Sequence, residues 1–180
     1  MSLVELIAQA DERGLAASGL ACSDRCLPLL GGDDEVLRPL WTSLAEGSDW
    51  AGHLEEARAA LGPADPAGTE AARLARRMLD TAPAVRSAEA VRAWAGTCSV
   101  ASLRIHRLLD PAADGAGSLS PLVSAETLSP LVAAELRRQV AVLELLAEHG
   151  ANGLRRALDL SVEGRRVLRA VVSRRTRGQS

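Results

Sequence analysis

The side chains of this sequence that could do chemistry are few, and most stand alone. Cys22 and Cys26 are four apart. That spacing puts two thiols about 40° apart on a helix surface, able to face one metal or one partner. A closed zinc site needs a second such pair or two spaced histidines, and Cys98 is the only further cysteine. Cys22 and Cys26 are thus the metal candidates, but the sequence favours the ordinary role of free cysteines as small buried hydrophobes, and no metal is expected. His53, His106 and His149 are scattered singly. A di-iron centre in a helix bundle requires Glu-x-x-His, yet Trp50, Leu103 and Leu146 stand three before these histidines. His53 and Glu56 have the reverse order and read as a solvated pair on a helix face.

The other candidate is a binding surface. Near the C-terminus Arg155, Arg156, Arg165, Arg166, Arg169, Arg174, Arg175 and Arg177 face only two acids, Asp159 and Glu163. The planar guanidinium suits bidentate contacts with phosphate or carboxylate, so the first seven form a candidate site for an anionic partner. That partner is nucleic acid, an acidic protein, or the acidic half of the chain itself. Residues 1–70 hold 13 acids and 4 Arg, a net −9, whereas residues 71–180 hold 10 acids and 17 Arg, a net +7. Leu160 to Leu168 has the pattern of a first helix in a helix-turn-helix. No recognition helix follows it, which leaves non-specific phosphate contact rather than base reading.

What is missing excludes more. All 21 basic residues are Arg, and the chain has no Lys, Tyr or Phe. A lysine Schiff base, a Walker-type phosphate lysine and a tyrosine acid or base are therefore ruled out. So is an aromatic sheet face for stacking single-stranded bases, which three Trp do not replace. This composition is what GC-rich codons produce. No cofactor fingerprint appears, and no cofactor is expected. The first residues lack the basic region of a secretory signal. The longest uncharged stretches, Ala93 to Leu103 and Gly115 to Ala125, fall short of the roughly 20 apolar residues that span a bilayer. With an odd number of cysteines, these features predict a cytoplasmic protein with reduced thiols and no membrane contact.

The elements that must position these residues are helices. Ser2 with Glu5 forms a capping box ahead of Leu3, Leu6, Ile7 and Ala10. After Gly14 a second apolar pattern runs to Gly31-Gly32, with Pro28 kinking or ending it. Asp33, Asp34 and Glu35 open a third helix ending at Gly47, with Pro39 near its start. Ser48 or Asp49 caps a fourth helix to Leu61, Thr69 a fifth, and Ser87 a long sixth ending at Asp110-Pro111. In that helix Val91, Trp94, Cys98, Ala101, Ile105 and Leu108 make a seam. Residues 111–118 read as a loop, and Ser120-Pro121 and Ser129-Pro130 each start a helix. In the second of these, Val132, Leu136, Val140, Leu143 and Ala147 form a stripe broad enough to predict that it is the central helix. Asn152 caps the last segment, whose polar tail frays. No strand pattern and no repeat is present.

The expectation is an all-α protein: one bundle of about seven or eight helices and no sheet, forming a single domain over 1–180. An acidic half spans 1–61, a basic half 69–175, and a frayed tail 176–180. The functional reading is a non-catalytic helical interaction module, an adaptor, regulator or subunit whose partner is another protein or a second copy in a homodimer. The alternatives are nucleic-acid association through the Arg cluster, which is less favoured, and a small-molecule binder or enzyme with a pocket between helices.

Overall fold

The structure, a computed structural model, describes residues 1–110 and 128–179. Among them it has eight α-helices, two 3₁₀ turns and no strand. The helices are α1 (Leu3–Gln9), α2 (Glu12–Arg25), α3 (Arg38–Glu46), α4 (Trp50–Leu61), α5 (Glu70–Asp80), α6 (Ala88–Leu109), α7 (Pro130–His149) and α8 (Leu154–Gly178). The protein is all-α, as its periodicities predict. None of the described helices is long and apolar enough to cross a membrane. The expected loop 111–118 and the helix start at Ser120-Pro121 lie outside the described residues.

Side-chain caps set most helix starts. Ser2 and Glu5 exchange both bonds of the capping box. Asp49, Thr69, Ser87 and Ser129 accept from the backbone N–H groups of Gly52, Ala72, Ala90 and Val132. Each bond satisfies a donor that the first helical turn leaves open.

Three helix starts differ from expectation, while Pro28 ends α2 as expected. The first hairpin turns at Ala10, not Gly14, because Asp11 accepts from Gly14 N–H at 2.8 Å and starts α2 earlier. Pro28 has no N–H to give to Asp24, so α2 stops at Arg25 and a 3₁₀ turn, Leu27–Leu29, follows. Residues Asp33 to Leu37 form turns, with Asp33 accepting from Glu35 N–H, and α3 begins only at Arg38. Its end is at Gly47, whose φ of 70° takes the left-handed cap conformation. Finally, α8 has no Asn152 cap. It continues from a 3₁₀ turn, Gly150–Gly153, where a Cβ on Gly153 would lie 2.6 Å from the Leu145 carbonyl oxygen. This helix remains helical to Gly178, and Arg175 donates to Leu108 O at 3.0 Å, fastening it to the end of α6.

The central helix is α2 rather than α7. Every residue from Gly14 to Leu27 is buried, and α2 meets α3, α5, α6, α7 and α8. Gly14 to Ser23 carries no charge and is mostly Gly, Ala, Ser and Cys. A helix with no polar face and a thin waist can be approached from all sides. Trp94 lies over Gly19 so closely that a Cβ there would be 2.6 Å from the ring. Its Nε1 donates to Met78 O at 2.8 Å, and its ring meets Trp50 edge-on at 6.1 Å. Trp41 and Trp50 likewise bury their rings and donate to Asp24 Oδ2 and Pro83 O. The three tryptophans thus pin the core through both area and a directed N–H.

Candidate functional site

Where α2, α6, α7 and α8 converge, the core contains a polar cluster. Arg25 and Glu135 are both 0% exposed. Arg25 Nε and Nη2 donate to Glu135 Oε2 and Oε1, each at 2.7 Å, in a bidentate pair. Oε1 also accepts from Ser102 Oγ at 2.8 Å and Gln139 Nε2 at 2.9 Å. Gln139 in turn accepts from Ser99 Oγ at 2.6 Å. His106 donates from Nδ1 to Ser102 O at 2.7 Å, which turns Nε2 towards Glu135 Oε2 at 3.5 Å. Arg25 Nη1 has no acceptor among the described residues. On the α8 side the cluster depends on a glycine: a Cβ on Gly164 would lie 2.5 Å from Arg25 Cδ. That explains a glycine in mid-helix.

Electrostatics follow from this geometry. Burial by itself would raise the Glu135 pKa, but the Arg25 charge, His106 and the hydrogen bonds to it win and hold it at about 2. Burial in turn lowers the His106 pKa, and the neighbouring Glu135 only partly opposes that. The cluster therefore holds an ionised carboxylate, a guanidinium and a neutral imidazole at neutral pH.

The metal candidates lie beside it. Cys22 Sγ accepts from Arg25 Nη2 at 3.5 Å, and Cys26 Sγ is 3.8 Å from Ser102 Oγ. Burial pushes the Cys22 thiol up to about 12 and raises Cys26 and Cys98 as well, opposite to what a metal ligand needs. No group of three or more His, Cys, Asp and Glu side chains arranged to hold a metal occurs among the described residues. His53 and Glu56 form the surface pair expected, at 3.3 Å.

The C-terminal arginines are not brought together as one surface. Arg165 is buried and pairs with Asp24, with Asp34 3.9 Å from its Nε. Burial raises the Asp24 pKa more than Arg165 lowers it. Arg169 pairs with Asp34 at the surface, and its hydrogen bond holds the Asp34 pKa down. Arg175 bonds Leu108 O, and Arg155, Arg156, Arg166 and Arg174 are exposed. Glu12 with Arg86 adds a further bridge between the acidic and basic halves. Part of the charge asymmetry is therefore paired within one chain.

A pattern of apolar positions alone does not reveal this cluster. On α7 the buried line is Val132, Glu135, Gln139, Val142, Leu143 and Leu146, while Ala147 is exposed and Leu136 and Val140 are half-buried. On α6 the seam runs Val91, Trp94, Cys98, Ser102, Ile105 and Leu109, with Ala101 and Leu108 half-buried. Glu135 and Gln139 at core spacing between apolar residues were the available signal.

A second feature lies on the outer side of α5 and α6. A groove of about 580 Å³ has Leu74, Ala93, Gly96 and Val100 along it and Arg77, Arg92 and Arg104 at its edges. Val100 is 69% exposed, although it sits in the middle of a long helix. At Gly96 nothing lies within 4 Å of a Cβ position, so the groove is open there. Arg92 donates to Ala10 O and Arg104 pairs with Glu70, while Arg77 meets no carboxylate among the described residues. No family model, curated protein or solved structure matches this chain.

Proposed function

We propose that the protein is a non-catalytic helical interaction module that receives an acidic amphipathic helix of a partner protein in the groove between α5 and α6. The observation that carries this reading is the groove itself, an apolar floor with an exposed valine between three arginines. Apolar floors flanked by one sign of charge fit helices whose apolar face is bordered by the opposite sign. Gly96 and Ala93 let a partner backbone come close. The polar cluster supports the non-catalytic part, since its side chains are closed off from solvent and, Arg25 Nη1 apart, bonded within the cluster. Three unpaired thiols suit work in a reducing compartment such as the cytoplasm.

The test uses fluorescence anisotropy with two labelled helical peptides that share a Leu/Ala face, one flanked by Glu and the other by Lys. The Glu peptide should bind, weaken as salt rises, and lose at least about tenfold in affinity with Val100→Glu or Arg77→Glu. Both positions are exposed, so both variants should still fold cooperatively. Equal binding of both peptides, or no effect of Val100→Glu, overturns the reading. A concentration-dependent dimer that Val100→Glu abolishes would instead assign the groove to a second copy of this chain.

A further inference from the structure

On another side of the molecule the 3₁₀ turn Leu27–Leu29, the start of α5 and the last turns of α6 and α8 line a half-open cavity of about 430 Å³. Leu29, Leu30, Leu109 and Val172 supply apolar walls, and Arg73, Arg76 and Arg175 reach it from two helices. Each guanidinium is fixed by a backbone carbonyl: Arg73 by Gly68 O at 2.8 Å, Arg76 by Gly62 O, and Arg175 by Leu108 O at 3.0 Å. Arg25, Arg38, Arg104, Arg165 and Arg169 are instead held by carboxylates, whereas Arg92, on another side, is also bonded to a carbonyl, that of Ala10. The distinction has an electrostatic consequence, because a neutral anchor orders the side chain yet leaves its charge unmatched. Arg76 shares one edge with Asp80, whereas Arg73 and Arg175 meet no carboxylate among the described residues. Asp65 is the acid in the lining, and its Oδ1 is engaged by Ala67 N–H at 2.9 Å.

From this arrangement we infer a binding site for a small organic anion, an oxyanion head carried on an apolar body. The volume falls within the roughly 300–1,000 Å³ of small-molecule sites. Two arginines with spare N–H groups would take a carboxylate or phosphate head at the rim, and the Leu29, Leu30 and Val172 surface would cover the body. A bare inorganic anion leaves the apolar wall wet, and a neutral alcohol leaves the arginines unmatched, so neither should fill the site. The inference is independent of the α5–α6 groove, which shares none of these residues.

Isothermal titration of the full chain at low salt with hexyl phosphate, hexanoate, hexanol and inorganic phosphate tests it. At least one of the two amphiphilic anions should bind about tenfold or more tighter than hexanol and inorganic phosphate. Their order tells which head group the arginines prefer. Arg73→Gln, an exposed position, should weaken binding about tenfold without shifting the melt, and adding Arg175→Gln should reduce it to the hexanol level. Arg155→Gln, exposed and away from the cavity, is the control and should change nothing. Binding of hexanol as tight as that of hexyl phosphate, or unchanged affinity in a folded Arg73→Gln variant, overturns the assignment. Because Arg175 also ties α8 to α6, Arg73→Gln alone decides if the double variant does not fold.

Discussion

Glu135 is held at about 2 in the folded protein against an ordinary value of 4.5, so the unfolded chain takes up its proton first as pH falls. A carboxylate with a depressed folded pKa stabilises fully above its unfolded value and loses that contribution on the way down, here between about 4.5 and about 2. The contribution at stake is on the order of 3 kcal/mol. His106 acts earlier in the same direction. Its folded pKa lies below 6.5, so its contribution is complete above 6.5 and begins to fade as the unfolded state protonates below that. Urea unfolding measured from pH 7 to pH 3 should therefore show two successive losses, and His106→Asn should remove the first. A flat profile to pH 4.5 in the unsubstituted chain would contradict a neutral buried His106. At pH 7, Glu135→Gln should cost about 3–5 kcal/mol, because it strands the Arg25 charge in the core. An acid amid apolar residues looks like a solvent-facing position unless its partner, here 110 residues away, is known.

The element scale was legible at its ends and less so in its packing. Capping depends on residues three apart, so Ser2, Asp49, Thr69, Ser87 and Ser129 announced their helices. Which helix sits at the centre depends on neighbours from the whole chain. Periodicity pointed to α7 because it is rich in Leu and Val, but the helix surrounded on all sides is α2, whose small residues give little moment. Glycines expose the difference. In α2, a Cβ on Gly19 would meet the Trp94 ring at 2.6 Å, and that ring is fixed by its bond to Met78 O. In α6, Gly96 has open space. The same substitution should thus have opposite signs. Gly19→Ala should destabilise by about 1–3 kcal/mol through overpacking, and Gly96→Ala should stabilise by about 0.5–1 kcal/mol through helix propensity. Thermal melts of the two variants decide it, and a stabilised Gly19→Ala protein would mean that α2 and α6 do not approach as described.

At the scale of the whole molecule, the charge asymmetry of the sequence acts partly as a fastening between its halves. Asp24 lies on the central helix and Asp34 on the turns before α3, and both reach arginines of α8. These two pairs differ in environment, and so should their contributions. Arg165 and Asp24 are both buried, with Trp41 Nε1 completing the Asp24 shell, so removing the guanidinium leaves a desolvated carboxylate unpaired. Arg169 and Asp34 are open to water, where their charges are screened and an exposed pair contributes about 0–1 kcal/mol. Arg155 is exposed and makes no pair among the described residues. Reading the sequence as one arginine surface makes the three residues equivalent. The fold instead predicts a ranking: Arg165→Met should cost about 3–5 kcal/mol, Arg169→Met no more than about 1 kcal/mol, and Arg155→Met close to nothing. Urea midpoints at low and at high salt separate these effects, since added salt should erase the Arg169 loss and leave most of the Arg165 loss. Equal losses in all three variants would return α8 to a uniform solvent-facing stripe. The predicted ranking makes Arg165 a structural residue and leaves Arg155, Arg156, Arg166 and Arg174 as the part of the cluster accessible to an anionic partner.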